Sequence, residues 1–117
     1  MNRPLTAIAA MFVVTLSSAG ATSLLSEQQA RDKAVGILKG DPYGRTAADV
    51  AKNIKEVQLI RDGNTKACGA KQRPAWEFHI VAVTANKDQF NEGVIDGYLA
   101  VDAHNGKILC ASLPLLD

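Results

Sequence analysis

The chain has 117 residues, with 13 Lys and Arg against 12 Asp and Glu and a formal net charge of +1. A chain of this length forms one small domain, because two separate cores would each bury too little surface to offset the chain entropy. Hydrophobic residues make up 47% and charged residues 21% of the chain, which excludes a wholly disordered protein. The near-zero charge argues against nucleic acid and anionic lipid, which both need a clustered basic surface.

Residues 1–21 have the three-part pattern of a signal peptide. A start that carries Arg3 is followed by an apolar run over residues 5–16, and small residues then lead to Ala21 in an A-x-A pattern. The apolar run is shorter than the roughly 20 residues that a transmembrane helix needs, so we expect cleavage after Ala21. We therefore predict a single domain at residues 22–117, a periplasmic or secreted location, and no stable membrane insertion after cleavage.

Two helices are predicted in the first half of this domain. Ser26 can cap a helix, and Gln29 can complete a capping box with it. The apolar stripe that follows has helical spacing and consists of Ala30, Ala34, Ile37 and Leu38. Gly40 and Pro42 end this helix. A second, shorter helix is predicted over residues 46–53, and its apolar side consists of Ala47, Val50 and Ala51.

The apolar period then changes from 3.6 to 2, which is typical of strands. Four strands are predicted, at residues 56–61, 75–84, 94–103 and 107–112. These strands follow the helices with no internal repeat and no composition shift that would mark a linker, which predicts an antiparallel meander. The predicted fold class is therefore α+β, with the N-terminal helix packed on one face of a four-stranded sheet.

The turn at residues 104–106 (His-Asn-Gly) allows two registers for the last hairpin. In a three-residue loop with a left-handed glycine, Val101 pairs with Leu109 and Leu99 pairs with Ala111, whereas a two-residue turn shifts the pairing by one residue. A slip of one residue moves every side chain to the other face of the sheet. We favour the three-residue loop, because it places these apolar residues on one face.

Cys68 lies in a polar loop at residues 62–74, and Cys110 lies in the last strand. In an oxidising compartment, two cysteines in a small domain favour a disulfide over a metal site or a nucleophile. In the favoured register Cys110 faces away from the helix, on the side where the loop can fold over it. We therefore predict a Cys68–Cys110 disulfide.

Two segments resemble the PepSY domain family. The first is Trp76-Glu77-Phe78-His79-Ile80, and the second runs from Gly97 to Leu109, where Val-Asp-Ala precedes a short turn, a glycine, a charged residue and Ile-Leu. The helix with Ala30 and Ala34 also resembles the opening helix of the family, so that the similarity covers residues 26–112. The chain departs from the family pattern in its long loop around Cys68 and in having no attached protease or membrane partner domain.

The resemblance implies an exported, non-catalytic binding or regulatory module that acts on a peptidase or another extracytoplasmic protein. The partner is then a protein or a peptide. By the same resemblance, Asp102 has a structural role in which its carboxylate binds the amides of the turn.

Other polar residues give only weak indications of a metal site or of catalysis. His79 and His104 lack the three or four converging ligands of a zinc site. Glu77, Asp96 and Asp102 share one face of alternating strands, where carboxylates are usually solvated. We therefore predict no metal, no cofactor and no catalytic residue.

The sheet face that the helix leaves uncovered is the predicted contact surface. Its residues are Glu77, His79, Val81, Asp96, Tyr98 and Asp102. Trp76 and Phe78 point the other way and are predicted core. The candidate partner contacts are His79 and Tyr98, and an exposed edge strand offers main-chain pairing in addition.

The alternative function is a small cystatin-like secreted protease inhibitor, because that shape also lays a helix across a meander. Such an inhibitor needs an exposed, partly apolar loop that wedges into a protease cleft. The loops at residues 62–74 and 86–93 are mostly polar, which favours the regulatory module.

Overall fold

A computed structural model of the chain describes residues 23–84, 91–114 and 116. The predicted signal peptide at 1–21 and residues 86–90 of the second predicted loop lie outside the described residues. The elements in chain order are α1 (Glu27–Leu38), α2 (Ala47–Asn53), β1 (Ile54–Ile60), β2 (Ala75–Val83), β3 (Val94–Asp102) and β4 (Ile108–Ala111). Within the described part of the chain, no helix is long and apolar enough to cross a membrane.

Helix α1 begins where the capping box predicts. The Ser26 hydroxyl accepts the amide of Gln29 at 3.1 Å, and the Gln29 side chain accepts the amide of Ser26 at 2.8 Å. Ala30 and Ala34 are fully buried and Leu38 is nearly so. The predicted apolar stripe is thus the face that α1 presents to the sheet.

Helix α2 has two turns and is capped by Thr46, whose side chain accepts the amide of Asp49. Val50 is buried, but Ala47 and Ala51 are exposed. The prediction that all three share a core-facing side is wrong for the two alanines. They line an open groove of about 550 Å³ between α2 and α1 instead, because so short a helix reaches the sheet through Val50.

The four strands form one antiparallel sheet in the order β1-β2-β3-β4, which confirms the α+β meander. Strand β1 starts two residues earlier than predicted, at Ile54. Its pairing with β2 shifts between Ile54 and Glu56, so that the alternation visible in the sequence is regular only after this bulge.

The core lies between the helices and one face of the sheet. Phe78, Ile80 and Leu99 are fully buried there, and each contributes about 1.5–3 kcal/mol through burial. Trp76 lies on the same side but at the margin, where its indole N–H donates to the backbone oxygen of Leu25 at 3.0 Å.

The last hairpin is only partly as predicted. Leu99 pairs with Ala111, but a register shift after Ala100 places Val101 opposite Ile108 and not opposite Leu109. The expected Val101–Leu109 pair is therefore wrong, and the extra residue lies in β4.

The turn itself explains this shift. Gly106 has the expected left-handed backbone, with φ of 76°. Its amide donates to the backbone oxygen of Asp102, and the Asp102 amide donates to the oxygen of Lys107. The Asn105 side chain accepts the Lys107 amide at 2.8 Å. These bonds close the turn tightly, so the irregularity moves into the strand that follows.

Candidate functional site

The sheet face opposite the helices is divided in two by the loop between β1 and β2. A disulfide joins Cys68 in this loop to Cys110 in β4, with 5.2 Å between the two Cα atoms. This confirms the predicted pairing. The disulfide ties the loop to the sheet, so that only part of the predicted contact surface is open.

The covered half contains Glu77, whose side chain is buried with 5% exposure. One carboxylate oxygen accepts the amide of Ala67 at 2.7 Å. The loop is further shaped by Thr65, which is buried and accepts the amide of Cys68 at 3.1 Å. The prediction that Glu77 is solvated is wrong, because the loop covers it.

Asp102 is also buried, with 2% exposure, so its predicted place on a solvated face is wrong. Its carboxylate accepts the amide of His104 at 2.8 Å and pairs with Arg73 at 3.2 Å. The bond to the turn amide is the structural role that the resemblance implies. Neither Glu77 nor Asp102 is available to a partner.

The part of this face that remains accessible, which we call the open half, consists of His79, Val81, Val83, Val94, Asp96 and Tyr98. Val83 and Val94 pair across β2 and β3 and are 79% and 40% exposed. Asp96 is 60% exposed. The open half thus combines exposed apolar side chains with both candidate contact residues.

His79 and Tyr98 lie directly opposite each other on β2 and β3. Their rings stack with 4.8 Å between centroids and 19° between planes. The Nε2 atom of His79 is 2.7 Å from a carboxylate oxygen of Asp96. On the loop side, the Lys66 ammonium lies over the Tyr98 ring, 5.2 Å from its centroid, a contact worth about 0.5–1 kcal/mol at an exposed site. These contacts hold both aromatic rings in place.

Sequence reasoning found His79 and Tyr98 because strand alternation assigns them to one face. It missed Lys66, which carries no local signal in a polar loop. Only the disulfide at Cys68, two residues further on, indicates that this part of the loop lies over the sheet.

The described residues offer no cluster of three or more His, Cys, Asp or Glu that could hold a metal ion. His104 lies in the last turn, where its Nδ1 atom is 3.4 Å from the backbone oxygen of Ser23.

The surface around Tyr98 includes Ser112, which lies opposite Tyr98 on the neighbouring chain segment. The Ser112 hydroxyl accepts the Tyr98 amide at 2.9 Å. Apolar side chains around a fixed aromatic pair with a charged rim form the kind of surface that binds another protein.

Comparisons of the chain with protein-family models, with curated proteins and with solved structures found no match. The similarity to PepSY domains therefore depends on the sequence motifs alone.

Proposed function

We propose that the chain is an exported, non-catalytic binding module of PepSY type. In this proposal it regulates a peptidase or another extracytoplasmic protein by contact through the open half. The observation that carries the proposal is the exposure of Val83 and Val94 on the same face of the sheet as the fixed His79–Tyr98 stack. An exposed apolar patch with a polar rim is typical of a protein-binding surface.

The proposed location outside the cytoplasm is supported by two features. Residues 1–21 have the signal-peptide pattern, and the Cys68–Cys110 disulfide is of a kind that persists in oxidising compartments.

The non-catalytic part of the proposal is supported by the contacts of the polar groups near the open half. His79 is paired with Asp96, and the Ser112 hydroxyl binds the backbone of Tyr98. A nucleophile requires a base within hydrogen-bonding reach, and among the described contacts the Ser112 hydroxyl bonds the Tyr98 backbone and not His79.

The alternative, a cystatin-like inhibitor, needs a loop that projects into a protease cleft. The loop at residues 62–74 is held on the sheet by the disulfide and by the bond from Ala67 to Glu77. This geometry favours a contact surface over a wedge.

The test uses the exported chain to capture its partner from a periplasmic extract, followed by affinity measurement with the purified partner. The double variant His79→Ala/Tyr98→Ala should bind about tenfold more weakly or worse, because aromatic side chains at the centre of an interface contribute strongly to affinity. The variant should remain folded, because both side chains lie at the sheet surface and are only partly buried. If the partner is a peptidase, the double variant should also change its enzymatic activity less than the parent chain does, because it binds more weakly.

The matched control is Gln28→Ala/Asp32→Ala, which changes two exposed residues on the opposite side of the domain and should leave the affinity unchanged. A double variant of the open half that unfolds, or that binds as tightly as the parent chain, contradicts the proposal.

A further inference from the structure

Strand β1 forms one edge of the sheet, because among the described strands it is first in the sheet order and pairs only with β2. From Glu56 to Ile60 its register with β2 is unbroken. Alternate residues of such an edge strand direct their N–H and C=O groups away from the sheet. Among the described residues, no group outside the sheet hydrogen-bonds to the backbone of residues 56–59.

The opposite edge, β4, is a poorer template for pairing. It has four residues and an irregular register. The chain that follows turns under the sheet, where Leu113 is buried and the backbone oxygen of Pro114 accepts the Tyr43 hydroxyl. A partner strand can therefore extend the sheet at β1 far more readily than at β4.

The side chains of β1 define what an added strand would meet. Val57 and Leu59 lie on the helix side, in register with Phe78 and Trp76, and are only half-buried. Apolar side chains on an added strand would cover them and extend the core.

The other side of β1 carries polar and charged side chains. Glu56 and Gln58 are exposed there, and Glu56 lies in register with His79. Asp96, which pairs with His79, lies on β3 and therefore farther from this edge, so Glu56 is the carboxylate that an added strand meets. A basic side chain opposite Glu56 on the added strand complements it.

We propose that β1 binds an extended polypeptide segment as a fifth strand. The segment carries apolar residues at alternate positions, directed to the helix side, and a basic residue near Glu56 on the other side. This inference rests on the proposed binding function and deepens it by naming the conformation of the partner. Main-chain hydrogen bonds supply affinity and the alternating side chains supply selectivity.

The experiment titrates the exported chain with a capped seven-residue peptide of alternating Lys and Val, and follows amide hydrogen exchange residue by residue. Alternate amides within residues 56–60 should exchange at least about tenfold more slowly when the peptide is bound, since each becomes hydrogen-bonded. Unchanged exchange in β1, or protection confined to the open half, overturns the proposal.

Two N-methylated peptides provide the matched control. One carries N-methyl groups on every Val and the other on every Lys, so their side chains are identical. In an added strand only one of the two sets of N–H groups faces β1. One peptide should therefore lose binding about tenfold or more, through several lost hydrogen bonds, and the other should keep it. Equal binding of both peptides contradicts strand addition.

Charge reversal tests the predicted sequence preference. Glu56→Lys should weaken binding of the Lys-Val peptide about three- to tenfold, while Asp32→Lys, an equal change of charge on α1, should not. No difference between these two variants overturns the basic preference. Sedimentation without peptide must show a monomer, because a dimer with protected β1 amides would mean that a second copy occupies the edge.

The two proposals fail separately. If β1 does not bind the peptide but His79→Ala/Tyr98→Ala still loses its captured partner, strand addition is wrong and the binding function stands. If the peptide binds but that double variant keeps its partner, the role assigned to the open half is wrong.

Discussion

Two carboxylates in this small domain are almost completely buried and serve as acceptors for backbone amides. Glu77 accepts the amide of Ala67, and Asp102 accepts the amide of His104 while it also pairs with Arg73. Burial of a carboxylate costs free energy unless donors are supplied. Glu77 thereby fixes the loop to the sheet, and Asp102 fixes the last turn.

Glu77→Ala should lower the free energy of unfolding by about 1–3 kcal/mol, because the part-buried amide of Ala67 loses its acceptor. The measurement is urea denaturation of the variant and the parent chain. Glu56→Ala, an exposed position in the neighbouring strand, serves as control and should change stability by less than about 0.5 kcal/mol. Equal effects of the two substitutions would contradict the role assigned to Glu77.

Tyr43 should make stability fall at high pH. Burial raises the pKa of its phenol from 10.0 to about 12. Between these values the unfolded chain releases the phenol proton and the folded chain keeps it, so the unfolded state is favoured as pH rises. The Tyr43 contribution, up to about 3 kcal/mol, is complete below pH 10 and is lost as pH rises towards 12.

The measurement compares the free energy of unfolding at pH 9 and pH 12 for the parent chain and for Tyr43→Phe. The variant should show the smaller decrease, because it lacks the Tyr43 phenol while the rest of the chain is the same in both proteins. The same decrease in both would contradict the raised pKa of Tyr43.

At the scale of elements, local signals specify α1 and β2. The capping box of Ser26 and the stripe of Ala30 and Ala34 lie within one helix, and the alternation from Trp76 onwards lies within one strand. Such patterns depend on neighbours along the chain and are legible in the sequence. The predicted helix start and the face of each β2 residue follow from them.

Features that depend on distant parts of the chain were not predictable. The bulge beside Lys55 and the shifted pairing of Ile108 arise where a strand adjusts to its neighbour. At the candidate site, alternation placed His79 and Tyr98 on the correct face. Glu77 on that same face is buried because the loop over it is anchored by a disulfide between two cysteines 42 residues apart. The alternation of residues within β2 contains no information about that loop.

The disulfide is the element-scale restraint on that loop. The double variant Cys68→Ala/Cys110→Ala should lower the free energy of unfolding by about 4 kcal/mol, because the open chain regains the entropy of a 42-residue separation. Chemical denaturation under non-reducing conditions measures the difference. A decrease of less than about 1 kcal/mol would contradict this account, because the disulfide would then restrict the unfolded chain very little.

At the scale of the whole molecule, the two sides of the sheet differ in how accessible they are. The helix side is closed by Leu38, Val50 and the apolar face of the strands. The other side leaves the open half accessible, and it adjoins the free edge of β1. With a formal net charge of +1, long-range steering would contribute little to the proposed binding, which would depend on the local fit of these two surfaces.

Partner binding through the open half is tested most directly by hydroxyl-radical footprinting of the chain, alone and with its purified partner. The predicted result is a clear loss of modification at His79 and Tyr98 in the complex. Trp76, at the margin of the helix side, and the buried Tyr43 serve as internal controls and should react equally in both samples. Unchanged modification of His79 and Tyr98 in a saturated complex, with protection at Trp76 or elsewhere on the helix side, would contradict the assignment.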